Sequence, residues 1–292
     1  MEKKRKRRFG DRSDGRRIRS LGPISSMIPF IMKTRNDSSN HTSTTIDITG
    51  AEKFLRAKRI EGYKGMGFLH ILVAAYVRII SQYPGINRFC SGQRIFARHE
   101  IEINMIVKKN MRIDCDQTVV KMYFEPTDTI FDIYNKINAQ LEKEFSEEGN
   151  NTDTIAAIFS KIPRLLLRFT VRFLEFLDYF GIMPKAILKV SPFHGTMAVT
   201  DTGSIGMPAI YHHLYNFGNM PVFISFGAKR KVLVPKEDGT VVARKHIDMK
   251  VVLDERICEG FYFSQAYRLL NNLLRDPQIL ENPPETVVED ID

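Results

Sequence analysis

DERICEGF, residues 254–261, joins an alternating stretch to an apolar-periodic one. Upstream, RKHIDMKVVLD (244–254) has the β-branched, period-two pattern of a strand. Downstream, FYFSQAYRLLNNLLRDP (261–277) sets Phe263, Ala266, Tyr267, Leu270, Leu273 and Leu274 on one helix face, and Pro277 ends it. The junction carries Glu255 and Glu259, four residues apart. Glu259 falls at the helix N-terminus, where the backbone dipole favours a carboxylate by about 0.3–1 kcal/mol. That is a sufficient structural reason for it. Glu255 has no such reason, and it leaves a strand end, where loops build sites.

The rest of the chain mixes the same two patterns. SSNHTSTTIDIT (38–49), QRIFARHEIEINMIVKK (93–109), QTVVKMYFEP (117–126), HGTMAVTDTG (194–203) and MPVFISFGAKRKVLV (220–234) read as strands, and EDG (237–239) as a tight turn. Helices are expected after Thr49-Gly50, from about Met66 to Gln82, and over 128–145 with Asp128 or Thr127 as cap. In 162–184, IPRLLLRFTVRFLEFLDYFGIMP, Pro163 suits a helix start and Gly181 a stop. Arg164, Arg168 and Arg172 recur every four residues there, one stripe against leucines and phenylalanines. Such a helix either covers the core with solvated arginines or meets a partner or membrane surface. Strands and helices mix without strict βαβ alternation, which predicts an α+β fold.

Composition narrows the function classes. With 43% apolar residues and 292 residues in all, the chain suits one large globular domain or two small ones. The net charge is +9, but residues 1–20 hold ten Lys and Arg against three Asp and Glu. The remaining 272 residues carry only about +2, so nucleic acid is not expected as a partner of the folded body. Residues 1–22 are expected as a disordered basic tail and 284–292 as a fraying acidic one. Cys90, Cys115 and Cys258 form no CxxC and no even framework, which suits reduced thiols in the cytoplasm. FLHILVAAYVRII (68–80) is too short to span a bilayer. Gly62, Gly65 and Gly67 lack the Lys-Ser/Thr of a phosphate loop. His212 and His213 are adjacent, so on a strand they point to opposite faces, and no companion stands at metal-ligand spacing. No metal is expected, and the pair reads as structural histidines.

The 254–261 frame resembles the end of the catalytic domain of dihydrolipoamide acyltransferases of 2-oxoacid dehydrogenase complexes. It resembles chloramphenicol acetyltransferase more distantly. Those families end with a strand, Asp-His-Arg-x-x-Asp-Gly, a helix and a Pro-containing exit. DERICEGF and LLNNLLRDPQIL (269–280) fit position by position. MAVTDTGSIG (197–206), VFISFGAKRK (222–231), TTIDITG (44–50) and YPGIN (83–87) resemble earlier family segments. The resemblance runs from about Ile24 to Pro283. It is interrupted by a block near 146–192 that is longer than the family pattern and reads as a helical insertion.

That resemblance implies a two-layer sandwich of a mixed sheet with helices on one side, occupying 23–283. It implies a homotrimer with its active site in a channel between subunits, using coenzyme A or acyl-CoA. In the family the motif histidine is the base for a thiol, a Ser or Thr hydroxyl steadies the oxyanion, and the motif aspartate is structural. Carried over, Thr200 takes the hydroxyl role, Glu259 the structural acid, and Glu255 stands where the histidine should be. A thiol near pKa 8.5 facing an ordinary carboxylate near 4.3 makes proton transfer uphill by roughly 5–6 kcal/mol. Either burial tunes Glu255, or His212 or His213 supplies the base, or the protein is a silent scaffold. In that last case the tail or residues 164–180 would contact a partner or a membrane. The chain shows no lipoyl domain, so a lipoyl-bearing partner would be a separate chain.

Overall fold

The computed structural model describes residues 6–108, 117–146 and 161–292. β10 (Val241–Asp254), the strand that runs into DERICEGF, is the axis of the main sheet. Its C-terminal half pairs antiparallel with β2 (Ser39–Asp47) on one side and β8 (Val222–Phe226) on the other. β7 (Met197–Asp201) lies parallel to β8, and β5 (Ile101–Lys108) parallel to β7. β6 (Gln117–Phe124) closes the edge antiparallel to β5. The N-terminal half of β10 pairs with β9 (Arg230–Pro235) as a hairpin that extends past β8. Gly239 turns it with φ +80°, and its N–H donates to the Lys236 carbonyl.

Strand alternation gives this mixed sheet two apolar faces. Ile103, Met105, Val199, Ile224, Met249 and Val251 point inward to the main core. There they meet α3 (Phe68–Gln82), which is apolar on most sides and buried. α2 (Thr49–Ile60), α4 (Ile130–Ser146) and α7 (Gly260–Arg275) pack round α3 and complete a single helical layer. Thr129 caps α4: its hydroxyl accepts the Asp132 N–H, and Asp132 accepts the Thr129 N–H in return. The expected caps, Asp128 and Thr127, lie just outside that reciprocal box. On the outer face, Ala198, Phe223 and Val252 are covered by Leu214 and Met220 from the segment before β8.

Two expected single strands are broken. QRIFARHEIEINMIVKK divides at His99-Glu100 into β4 (Arg94–Arg98) and β5, because the chain changes sheets there. β4 is the centre of a small sheet with β1 (Gly15–Arg17) and β3 (Arg88–Ser91). MPVFISFGAKRKVLV divides at Gly227, where a Cβ would collide with the backbone of Pro208 and Ala209. α1 (Pro23–Ile31) packs beside β4. The expected 146–192 insertion contains α5 (Arg164–Tyr179) and α6 (Lys185–Val190), the latter against β6 through Lys121 Nζ donating to the Leu188 carbonyl at 2.8 Å. Residues 147–160 of it, and Cys115, lie outside the described residues.

Both expected tails are folded where they are described. Arg12 is buried, with Asp14 at 2.8 Å and Asp178 at 2.7 Å. At the other end, Arg88 Nε donates to Asp290 at 2.7 Å, Arg16 reaches the Ile291 and Asp290 carbonyls, and the Val288 N–H donates to the Ser81 carbonyl at 2.8 Å. A charge count sees a cationic tail and an anionic one. In three dimensions Arg8, Arg12, Arg16 and Arg19 are bound to carboxylates and carbonyls, those of Arg8 and Arg16 from the opposite end of the chain.

Candidate active site

The corner at the end of β10 is built around one carboxylate. Asp254 is buried and accepts four hydrogen bonds: Ser38 Oγ at 2.9 Å, Arg256 Nε at 2.8 Å, Arg256 Nη2 at 2.7 Å and the Arg256 N–H at 3.2 Å. Arg256 Nη1 donates onward to the Met32 carbonyl at 3.0 Å. Burial lowers the Arg256 pKa, but the bond and charge of Asp254 outweigh it and hold the guanidinium above its usual value. Ile257 anchors the far side of the turn in the core. Between these fixed points Glu255 projects outward, half-exposed, its N–H on the Ser38 carbonyl and its carboxylate accepting Asn40 Nδ2 at 2.6 Å. Glu259 is exposed at the N-cap of α7 and makes no side-chain capping bond. The acid that holds this corner in shape is therefore Asp254, where the sequence frame had given that role to Glu259. Burial pushes the thiol of the neighbouring Cys258 up to about 12.

Thr200 ends up elsewhere on the sheet. Val199 points into the core, so Thr200 faces the outer side, registered with Ser225 and through it with Lys250. Glu255 follows Lys250 by five residues, so it lies about 17 Å along the strands and two strands, about 10 Å, across. The two expected catalytic residues do not meet within one chain. His212 stacks on Phe223 at 4.3 Å, over the same outer face and about 7 Å along from Thr200. Burial lowers its pKa, with a smaller push from His213, so the imidazole is neutral at pH 7, and its Nε2 has no partner. His213 is exposed, its ring 4.8 Å from Tyr215.

A second polar cluster was not foreseen. Ser191 Oγ lies 2.7 Å from His194 Nδ1, and His194 Nε2 lies 3.4 Å from Asp178 Oδ1, off the line of a hydrogen bond. The order resembles a nucleophile triad, but His194 is only 1% exposed and Ser191 7%. Asp178 is also shared with Arg12, whose partner Asp14 is held by Asn219 Nδ2 at 2.9 Å. Burial would raise the Asp178 carboxyl, but the Arg12 guanidinium 2.7 Å away holds it well below the usual carboxylate range, while burial lowers the His194 pKa. The cluster is a brace that ties α5 to the first strand and the main sheet. Asp178 in an amphipathic stretch was the available signal, and its partners are too distant in sequence to complete it. Among the described residues no group of three or more His, Cys, Asp or Glu could hold a metal ion.

No family model matches the sequence, and no curated protein matches it. Solved structures do. A dihydrolipoamide acetyltransferase (E2p) from Azotobacter vinelandii superposes with a TM-score of 0.58 at 14% identity, over 90% of this chain and 93% of that one. A probable dihydrolipoamide acetyltransferase from Listeria monocytogenes gives 0.56 at 15% identity, over 93% and 97%. A chloramphenicol acetyltransferase gives 0.53 at 12% identity, over 86% and 94%. At such identities the likeness is one of fold. The chain has the α+β fold shared by chloramphenicol acetyltransferase and the dihydrolipoamide acetyltransferases.

Proposed function

We propose that the protein is a CoA-dependent acyltransferase-like protein that moves an acyl group between CoA and a thiol or other acceptor through an altered site. The observation that carries this reading is the braced corner. Asp254, Arg256 and Ser38 use their buried polar groups to fix one turn, and the side chain that turn presents is Glu255, which the sequence resemblance sets at the position of the motif histidine. In the Azotobacter enzyme a serine, a histidine and an asparagine have been tested for catalytic roles, the last two four residues apart like Glu255 and Glu259.

The separation of Thr200 from Glu255 fits a site assembled between copies of the chain, and a homotrimer supplies such an interface. The β9–β10 hairpin, with Leu233 and Val241 exposed, offers a surface for it. Glu255 from one copy takes the thiol proton, and Thr200 from the next donates its hydroxyl to the developing oxyanion. A dihydrolipoyl thiol would come from another chain. His212 is the alternative base, since it is neutral and lies on the same face as Thr200.

Calorimetry with CoA and acetyl-CoA tests the reading, followed by acyl transfer to a small dithiol. Heat with both ligands is expected, with transfer lost in Glu255→Gln and Thr200→Ala. Absence of CoA binding, or wild-type transfer in both variants, overturns it. The second reading, a trimeric scaffold without activity, is favoured by the half-exposed carboxylate at 255 and by the exposed apolar side of α5. It predicts no CoA heat in an otherwise intact oligomer.

A further inference from the structure

At 3.6 residues per turn α5 divides into three stripes. Leu167, Val171, Leu174, Leu177 and Asp178 are shielded on the inner side. Leu165, Leu166, Phe169, Phe173, Phe176 and Phe180 face solvent, with Leu165 at 80% and Phe169 at 67% of full exposure. Arg164, Arg168 and Arg172 form a ridge along one edge of that apolar stripe, with Glu175 paired to Arg172 at 3.2 Å. The Tyr179 hydroxyl at the end of α5 donates to Gln93 at 2.8 Å, in the turn between β3 and β4. α1 also lies against that turn, with Ile24, Met27, Phe30 and Ile31 exposed. Between α1 and the turn is a cavity of about 580 Å³, apolar at Leu21, Pro29 and Phe30 and basic at Arg17, Arg19 and Arg94. Partial burial and repulsion from Arg94 and Arg19 lower the Arg17 pKa.

Two unpartnered apolar stripes thus border one turn, and each is edged by guanidinium groups. The acids on these segments are already taken: Asp11 by Arg19, Glu175 by Arg172, Asp178 by Arg12. A partner must therefore supply an apolar layer and, at its boundary, a continuous sheet of negative charge. We propose that this face docks on an anionic phospholipid membrane surface. The phenylalanines of α5 and the exposed edge of α1 enter the acyl boundary, and Arg164, Arg168, Arg17 and Arg94 meet headgroup phosphates. An amphipathic helix with arginines on its polar edge lies in the interface plane, its apolar side about 5–10 Å deep. Among the described residues no helix is long and apolar enough to cross a membrane. The inference does not depend on the chemistry at Glu255 and holds under either reading of the site.

The test is co-sedimentation of the full chain with phosphatidylcholine vesicles containing about one phosphatidylglycerol in three, against phosphatidylcholine alone, over a range of salt. Binding to the anionic vesicles, weakened by salt and not displaced by inorganic phosphate, is expected. Each arginine near such a surface contributes about fivefold, so Arg164→Gln with Arg168→Gln should reduce partitioning about thirtyfold. Phe169→Asp with Phe173→Asp should abolish it while leaving the melting temperature and the CoA heat as in the wild type. Should that pair unfold, Met27→Asp carries the same expectation from α1. The proposal is overturned if the wild type stays in the supernatant. It is also overturned by salt-insensitive binding to both vesicle types, or by competition from inorganic phosphate. Self-association without vesicles that is lost in the Phe169 and Phe173 variant would assign the face to a second copy and overturn it too.

Discussion

Asp254 and Arg256 do the positioning and Glu255 is what they position, so the three should separate in mutants. Arg256→Ala leaves a buried carboxylate without its cation and should destabilise the fold by about 3–5 kcal/mol, read as a lower denaturation midpoint. Arg256→Lys recovers only part of this, because an ammonium cannot supply the paired Nε and Nη2 donors. Glu255→Gln should leave the midpoint unchanged and act only on acyl transfer. The strand and the helix that flank this corner were legible from their periodicity. What was not legible is which carboxylate is structural. That depends on Ser38 arriving from another segment and on Arg256 folding back over two residues, and neither is written in the spacing of Glu255 and Glu259.

At the scale of elements, α5 is the most readable and the most incompletely read. Its start at Pro163, its stop at Gly181 and its arginine stripe follow from pattern. Its inward side does not, because Asp178 reads as one more polar residue until Arg12 and His194 are placed against it. Asp178→Ala should free α5 from the small sheet and speed limited proteolysis within 161–184 severalfold, with little effect on the main core. Gly92→Ala should do the same from the other side. Gly92 has φ +54°, and a Cβ there would run into the Tyr179 carbonyl. Wild-type protease resistance in both variants would mean that α5 is held by something other than this brace.

For the whole molecule, the buried histidines contribute the first loss of stability on acidification. Burial lowers the folded pKa of His70, His99, His194 and His212. The unfolded chain then binds more protons than the folded one below about pH 6.5, so their contribution is complete above that value and lost as pH falls toward the folded pKa values. Calorimetric melting temperatures should decline from about pH 6.5 downward. Activity, if assembled from Thr200 of one copy and Glu255 of another, should fall per protomer on dilution through the association constant. The mixed sheet and helical layer were legible at this scale because period-two and period-3.6 patterns report directly on burial. The folded ends were not, since composition counts charges without their partners.

The clasp between the two ends also imposes an order in time. Asp290 is made 202 residues after Arg88, and its carbonyl 274 residues after Arg16. Until then Arg16 in β1 and Arg88 in β3 lack these partners, so the small sheet gains its full set of contacts only once residues 290–292 have been made.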